Sequence, residues 1–422
     1  MSDASNIPTR NLAPSNSAKF RQRVLPFIVM AAIFAIIPLF GPSRTMLSLF
    51  NAMGTFMVFA LSYNMLLGRA GLLSFGHAVY FGIGGYFCVH AMSWIENAET
   101  GIWANYPVFF LPIIGFAGGA LAGAIVGWPS CRRAGTPFAM ISLGVAELIA
   151  AAAFMFSSLS GGEMGISGDR MNGPQLFGLS MGPAIDVYWF VAFWTVVATA
   201  LMYAFTRTPL GKMSEATRDN PERVQFVGYN PFRVRYMVFM FAGGFAGLAG
   251  GMSAVNYEIF TPEALSLGPS GLVLLMAYIG GIRYFAGPLL GAIVLTYMQS
   301  NLSDFSEAWL LYLGILFISI VMFAPDGLAG IIANFIRGTK AQGWIFLKRW
   351  SIGAAGILIA MIGVITLVES AVLASNGFGE VFEPFGLVHL KMSNPLTWIL
   401  SLFPMAIGIV LVRHMAKLSE EA

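Results

Sequence analysis

Val24-Leu-Pro-Phe-Ile-Val-Met-Ala-Ala-Ile-Phe-Ala-Ile-Ile-Pro-Leu-Phe40 decides the fold class, because it is apolar throughout and nowhere alternates apolar with polar residues. A strand of a membrane barrel alternates over about 10 residues. This run instead reads as helix, the form in which a backbone satisfies its own hydrogen bonds in lipid. Comparable runs recur along all 422 positions, many of them near the roughly 20 residues needed to cross a hydrocarbon core about 30 Å thick. The chain is 57% hydrophobic and 10% charged, whereas a soluble domain carries about 25% charged residues. No soluble surface can be built from that composition, and the fold class is all-α, a polytopic transmembrane helix bundle.

The spans read from the sequence are 24–40, 46–67, 71–93, 107–128, 136–158, 186–206, 233–254, 268–282, 284–300, 308–324, 352–373 and 396–412. With the N-terminus inside, only Arg44, Arg170 and Lys391 of the 23 Lys and Arg fall in outer segments. Basic residues concentrate on the cytoplasmic side, and losing one span would invert every later loop and destroy this asymmetry. The number of spans is therefore even, about 12, with both termini cytoplasmic. The same placement accounts for the formal charge of +3 without invoking nucleic acid. The first 23 residues are polar and no small-residue cleavage pattern follows the first span, so they read as a flexible cytoplasmic tail before an uncleaved anchor. Cys88 and Cys131 lie on opposite sides of this topology, which argues against a structural disulfide. Outer loops carry acids such as Glu96, Glu163, Asp169 and Glu258, either a plain solvated face or a docking face.

Small residues repeat at helical spacing in Gly119, Gly123 and Gly127, in Gly243, Gly247 and Gly251, and in Gly287 and Gly291. That spacing lets helix backbones approach closely, and it reports a tight bundle before it reports any ligand. Two stretches look interrupted, Gly68 to His77 and Gly280 to Pro288, one in each half of the chain. Transporters break helices in this way where backbone and helix ends line a substrate path, although a loop between short helices gives the same pattern. Candidate pathway residues are Ser74 and His77 beside the first break and Glu147 in an apolar span. An ionisable residue in a span is a functional candidate by default. Glu147 either faces the path, where it would attract a substrate ammonium, or hydrogen-bonds a neighbouring helix. For His77 the choice is between a structural hydrogen bond and a gating role. Four histidines without paired His or Cys ligands give a metal site little support.

The longest charged segment between spans runs from Thr208 to Pro231 and contains order signals. Asn220 is suited to cap a helix with Pro221 at its first position, Glu222 in its first turn and Gly228 as terminator. The helix so fenced, Pro221 to Val227, is about 10 Å long, too short to span. It is either a knob for another protein's socket or a surface helix packed on its own bundle. The sequence has no G-x-x-x-x-G-K-[ST] phosphate loop, so any nucleotide-binding domain belongs to another chain.

The run Leu67-Gly-Arg-Ala-Gly-Leu-Leu-Ser-Phe-Gly-His-Ala-Val-Tyr-Phe-Gly-Ile-Gly-Gly-Tyr86 resembles the signature segment of the LivM-type permease subunits of branched-chain amino acid ABC transporters. Further likenesses are the outer loop Ser160-Gly-Gly-Glu-Met-Gly-Ile-Ser-Gly168, the segment from Pro209 to Gly228, Ser266 to Gly281, Gly287-Pro-Leu-Leu-Gly-Ala292 and Pro325-Asp-Gly-Leu328. The resemblance covers roughly residues 46 to 332 in order. It implies half of a pore in a bacterial inner membrane and no enzyme, with a homologous second permease, two ATPases holding the ATP, and a periplasmic binding protein as partners. It also implies an ATPase-coupling loop at Glu215, Arg218, Asp219, Asn220, Glu222 and Gly228. The implied domains are a tail at 1–23, a permease domain at 24–336 with about ten spans, and an extension at 337–422 with two more. Two features depart from the family. Ile282-Arg-Tyr-Phe285 brings bulk and charge into the second break, either altering selectivity or snorkelling Arg283 to the interface. The two last spans are the other addition. A secondary transporter driven by an ion gradient is the competing class, but it needs relay residues within the spans, and Glu147 is a thin basis for them.

Overall fold

The computed structural model describes residues 16–376 except Phe177, together with 381–382, 390–391, 402–408 and 410. The first helix, α1 (Asn16–Ile36), ends in a 3-10 turn at Ile37–Phe40. It begins eight residues ahead of the expected span, because Lys19, Phe20 and Arg21 to Arg23 are fair helix formers that extend the apolar segment beyond lipid. Residues 1–15 of the expected tail lie outside the described residues. Next come α2 (Arg44–Asn64), which runs into a π turn at Met65–Arg69, then α3 (Ala78–Glu96), α4 (Leu111–Ser130), α5 (Thr136–Met155) and the single turn α6 (Ser157–Ser160). The strand β1 (Ile166–Ser167) precedes α7 (Ala184–Arg207), α8 (Pro209–Asp219), α9 (Pro221–Phe226) and α10 (Pro231–Tyr257). After β2 (Ile259–Phe260) follow α11 (Leu267–Gly280), α12 (Gly287–Phe305), α13 (Trp309–Phe323), α14 (Gly327–Gln342) and α15 (Trp344–Asn376).

Among the described residues, seven helices are long and apolar enough to cross a membrane, or eight if α13 and α14, bent by 49°, form one broken span. The seven are Arg44–Arg69, Ala78–Glu96, Val108–Ser130, Thr136–Met155, Ala184–Arg207, Pro231–Tyr257 and Phe346–Val372. The other expected spans fall on shorter or more polar helices: Val24–Phe40, Leu267–Gly280 and α12. Most of 396–412 lies outside the described residues. The third span starts at Ala78 instead of residue 71, since 71–77 is unwound.

The centre of the bundle is α10, packed between α3 and α4 through glycines. A methyl on Gly247 would overlap the Gly115 carbonyl oxygen and lie 2.8 Å from Gly119 Cα. On Gly84 it would overlap Gly247 itself. Within lipid there is no hydrophobic force between helices, so this backbone-to-backbone contact is where the three gain dispersion energy. Gly287 and Gly291 do the same for the α11–α12 hairpin, abutting the carbonyls of Gly281 and Met276. At the far end of α10, β1 pairs antiparallel with β2, Ile166 opposite Phe260. Arg170 fastens this ribbon. Its Nε donates to Met181 O (2.7 Å), its Nη1 to Val255 O (3.2 Å) and Asn256 O (2.8 Å), and its backbone N–H to Glu258 Oε1 (3.2 Å). The Val255 and Asn256 carbonyls are among those a helix leaves open at its C-terminus, where a cation is also favoured by the dipole. The C-terminal α15 meets α13 through a hydrogen bond from Tyr312 Oη to Glu369 Oε1, at 2.8 Å.

Candidate functional site

Unwound backbone at membrane depth needs partners for its freed groups, and neighbouring helices supply several to the first break. The Phe75 N–H donates to Ser142 Oγ of α5 (3.1 Å) and the Ala78 N–H to Ser270 Oγ of α11 (3.0 Å). The Ser74 carbonyl accepts from Tyr63 Oη of α2 at 3.1 Å. The segment leaves the π turn through Gly71, whose φ of +68° is disfavoured for a residue with Cβ. Three helices thus hold 70–77 in one shape, which makes the break a built feature.

His77 is fully buried. Its Nε2 lies 2.9 Å from Ser62 Oγ, and its ring stacks on Phe59 (5.6 Å between centroids) with the edges of Tyr63 and Tyr80 around it. His77 Nδ1 and Ser74 Oγ are buried without a protein partner. Glu147 is not with them. It sits on the exposed face of α5 between Gly144 and Leu148, while the opposite face, Ser142 and Ala146, supports Gly76.

The second break comes to the same end of the bundle as the coupling segment. A methyl on Gly68 would lie 2.7 Å from the Ile282 carbonyl oxygen, so the two breaks touch. Gly281, at φ +108°, abuts the Asp326 carbonyl in the joint between α13 and α14. Arg283 reaches Asp326 at 3.0 Å with its side chain 75% exposed, and Arg337 donates to Tyr284 Oη at 3.2 Å.

The segment between α7 and α10 is two helices. Thr208 caps α8, its Oγ1 accepting from the Gly211 N–H at 3.2 Å, and Pro209 takes the first position. Asn220 caps α9, its Oδ1 accepting from the Arg223 N–H at 3.1 Å, and Gly228 ends the motif at φ +88°. Val224 is buried, whereas Phe226 is 91% and Val227 69% exposed at the tip. Of the expected coupling residues, Glu222 is exposed, and Asp219 is exposed and pairs with Arg218 at 2.9 Å. Glu215, 27% exposed, and Arg218, 40% exposed, also reach the end of α2. Glu215 forms ion pairs with Arg69 and, at 3.4 Å, with Lys212, and Arg218 Nη1 donates to the Gly68 carbonyl. Sequence reasoning missed α8 and the part played by Arg69. The Thr208-Pro209 cap was the available signal for α8, whereas nothing local marks a pair 146 positions apart, Arg69 with Glu215. Among the described residues, no three His, Cys, Asp or Glu side chains are grouped to hold a metal ion.

The family model for the branched-chain amino acid transport system permease component matches residues 45–325. The chain belongs to that family. This permease is 26% identical over 325 residues to the high-affinity branched-chain amino acid transport permease LivM of Escherichia coli K12, covering 72% of this chain and 74% of the relative. With LivH of the same organism it shares 23% over 297 residues, covering 65% and 91%. With the L-arabinose ABC transporter permease AraH of Azospirillum brasilense it shares 26% over 216 residues, covering 49% and 60%. No solved structure matches the chain. These relatives are transport permease components and not enzymes, and together with the apolar helices they make this a multi-pass membrane protein of LivM type.

Proposed function

We propose that this permease forms half of the translocation path of a binding-protein-dependent ABC importer in a bacterial inner membrane. In this reading about 12 helices cross, both termini face the cytoplasm, and 337–422 adds two crossings to the permease domain. The substrate is a branched-chain amino acid or a related small polar or carboxylate solute; the likeness to both LivM and AraH supports a small polar solute in general. Similarity to both LivM and LivH supports pairing with a homologous second permease. Ser74 and His77 at the break, and Glu147 on the open face of α5, are the pathway residues. The chain binds no cofactor, and ATP resides on two partner ATPases, while a periplasmic protein delivers the solute.

The observation that carries the coupling part is the α9 tip. A six-residue helix capped at both ends presents Phe226 and Val227 to solvent beside the basic end of the bundle. A rigid, apolar, exposed knob there is suited to an ATPase socket, with Asp219, Asn220, Glu222 and Gly228 setting its shape and rim. The test is co-purification with candidate ABC ATPases. Phe226→Asp together with Val227→Asp removes the apolar knob without touching the core and is expected to abolish capture. Undiminished capture and ATP hydrolysis would refute the assignment.

A further inference from the structure

Glu215, and Arg218 with 40% of its side chain still exposed, reach the closing turn of α2 from the coupling segment, which gives them a second task. Arg218 Nη1 donates to the carbonyl of Gly68, inside the π turn that closes α2, and its stem lies across Gly71, where a methyl would sit 2.6 Å from Arg218 Cγ. Arg69, in that same turn, pairs with Glu215. Both members of this pair are only partly exposed, 21% and 27%, so solvent screens them less than a surface pair. One face of α8 therefore grips the π turn on both sides of Arg69. The chemistry is complementary: a helix C-terminus has open carbonyls and negative partial charge, which Arg218 satisfies, and Glu215 neutralises the second guanidinium brought beside it.

What α8 grips is a π turn, Met65–Arg69. A π turn holds one residue more than the α-helical ladder needs. Returning it to α geometry shifts the following residues by one position, a rotation of about 100°. The residues that follow are Leu72 to His77, and the second break touches the same turn at Gly68. We propose that Arg69, Glu215 and Arg218 are a latch that delivers movement of the α8–α9 segment to the interrupted helix at 65–77. These are positioning residues. They touch no substrate and act through the turn. The inference rests on the coupling reading above.

The test uses the permease assembled with its ATPases and reads hydrogen exchange of peptides covering 65–77, with and without vanadate trapping of ATP. The variants are Arg69→Glu, Glu215→Arg and the swap carrying both, with Glu215→Gln as a variant of unchanged shape. In the wild type, trapping is expected to change exchange in 65–77 by about fivefold. Each single variant and Glu215→Gln should lose that response while still capturing ATPase through the α9 tip, and the swap should restore it. A merely structural role would not be rescued by exchanging the charges. If the wild type captures no ATPase, the coupling reading fails and takes this inference with it. If capture is normal but 65–77 does not respond to trapping, or the single variants respond like the wild type, only the latch is overturned.

Discussion

Gly247→Ala tests whether three backbones meet at the centre of the bundle. The added methyl points at the Gly115 carbonyl and would lie 2.8 Å from Gly119 Cα and 3.0 Å from Gly119 N. Carbon atoms rest at about 3.5–4.0 Å, so α4 must retreat from α10 by about 1 Å. A gap of that size forfeits up to about half of each dispersion contact it opens. Overpacking costs about 1–3 kcal/mol, and the upper part of that range applies where a backbone, instead of a side-chain end, has to move. The gain in helix propensity returns about 1 kcal/mol. The net loss of about 1–2 kcal/mol lowers the folded-to-unfolded ratio by roughly 5- to 30-fold. Gly314→Ala is the control, because nothing lies within 4 Å of a methyl there; it should be neutral or stabilising by up to about 1 kcal/mol. Reversible unfolding in mixed micelles, followed by tryptophan fluorescence, measures both. Equal stability of the two variants would refute the packing argument.

Ser270→Ala leaves the Ala78 N–H buried and unpaired and should cost about 1–3 kcal/mol, seen as faster exchange at the start of α3. Asn220→Ala removes the α9 cap at about 1 kcal/mol, so α9 should fray in limited proteolysis while global unfolding is unchanged. Arg170→Lys cannot serve the Met181, Val255 and Asn256 carbonyls with one compact ammonium. Exchange of the Gly168 N–H, bonded to Glu258 O at 3.0 Å, should then rise by roughly tenfold or more.

Local chemistry was legible and long-range pairing was not. The Gly-rich interruptions at 68–77 and 280–288 announce where helices stop, since only particular residues accept such backbone, and the Asn220-Pro221 cap announces α9. The facing of Glu147 was not legible, because which side of α5 is covered depends on the α3, α4 and α11 surfaces that reach it. The polar α8 lacks the apolar periodicity that identifies spans. The reach of Glu215 and Arg218 to the end of α2 was hidden for the same reason: a charged residue on a short helix reads as solvated until the chain some 146 residues away is folded beside it. The β1–β2 ribbon hides in a loop rich in glycine, where propensity argues against strand.

That ribbon has a mechanical consequence. Main-chain bonds and the Arg170 fork rivet the loop after α6 to the tail of α10, whereas one ion pair and the Arg218 side chain join α8 to the end of α2. A body riveted at one pole and clasped by charge at the other is a lever with its fulcrum chosen in advance. Spin labels at Ile166 and Phe260 should keep one separation throughout a transport cycle, and labels placed on α8 and on the end of α2 should record the stroke.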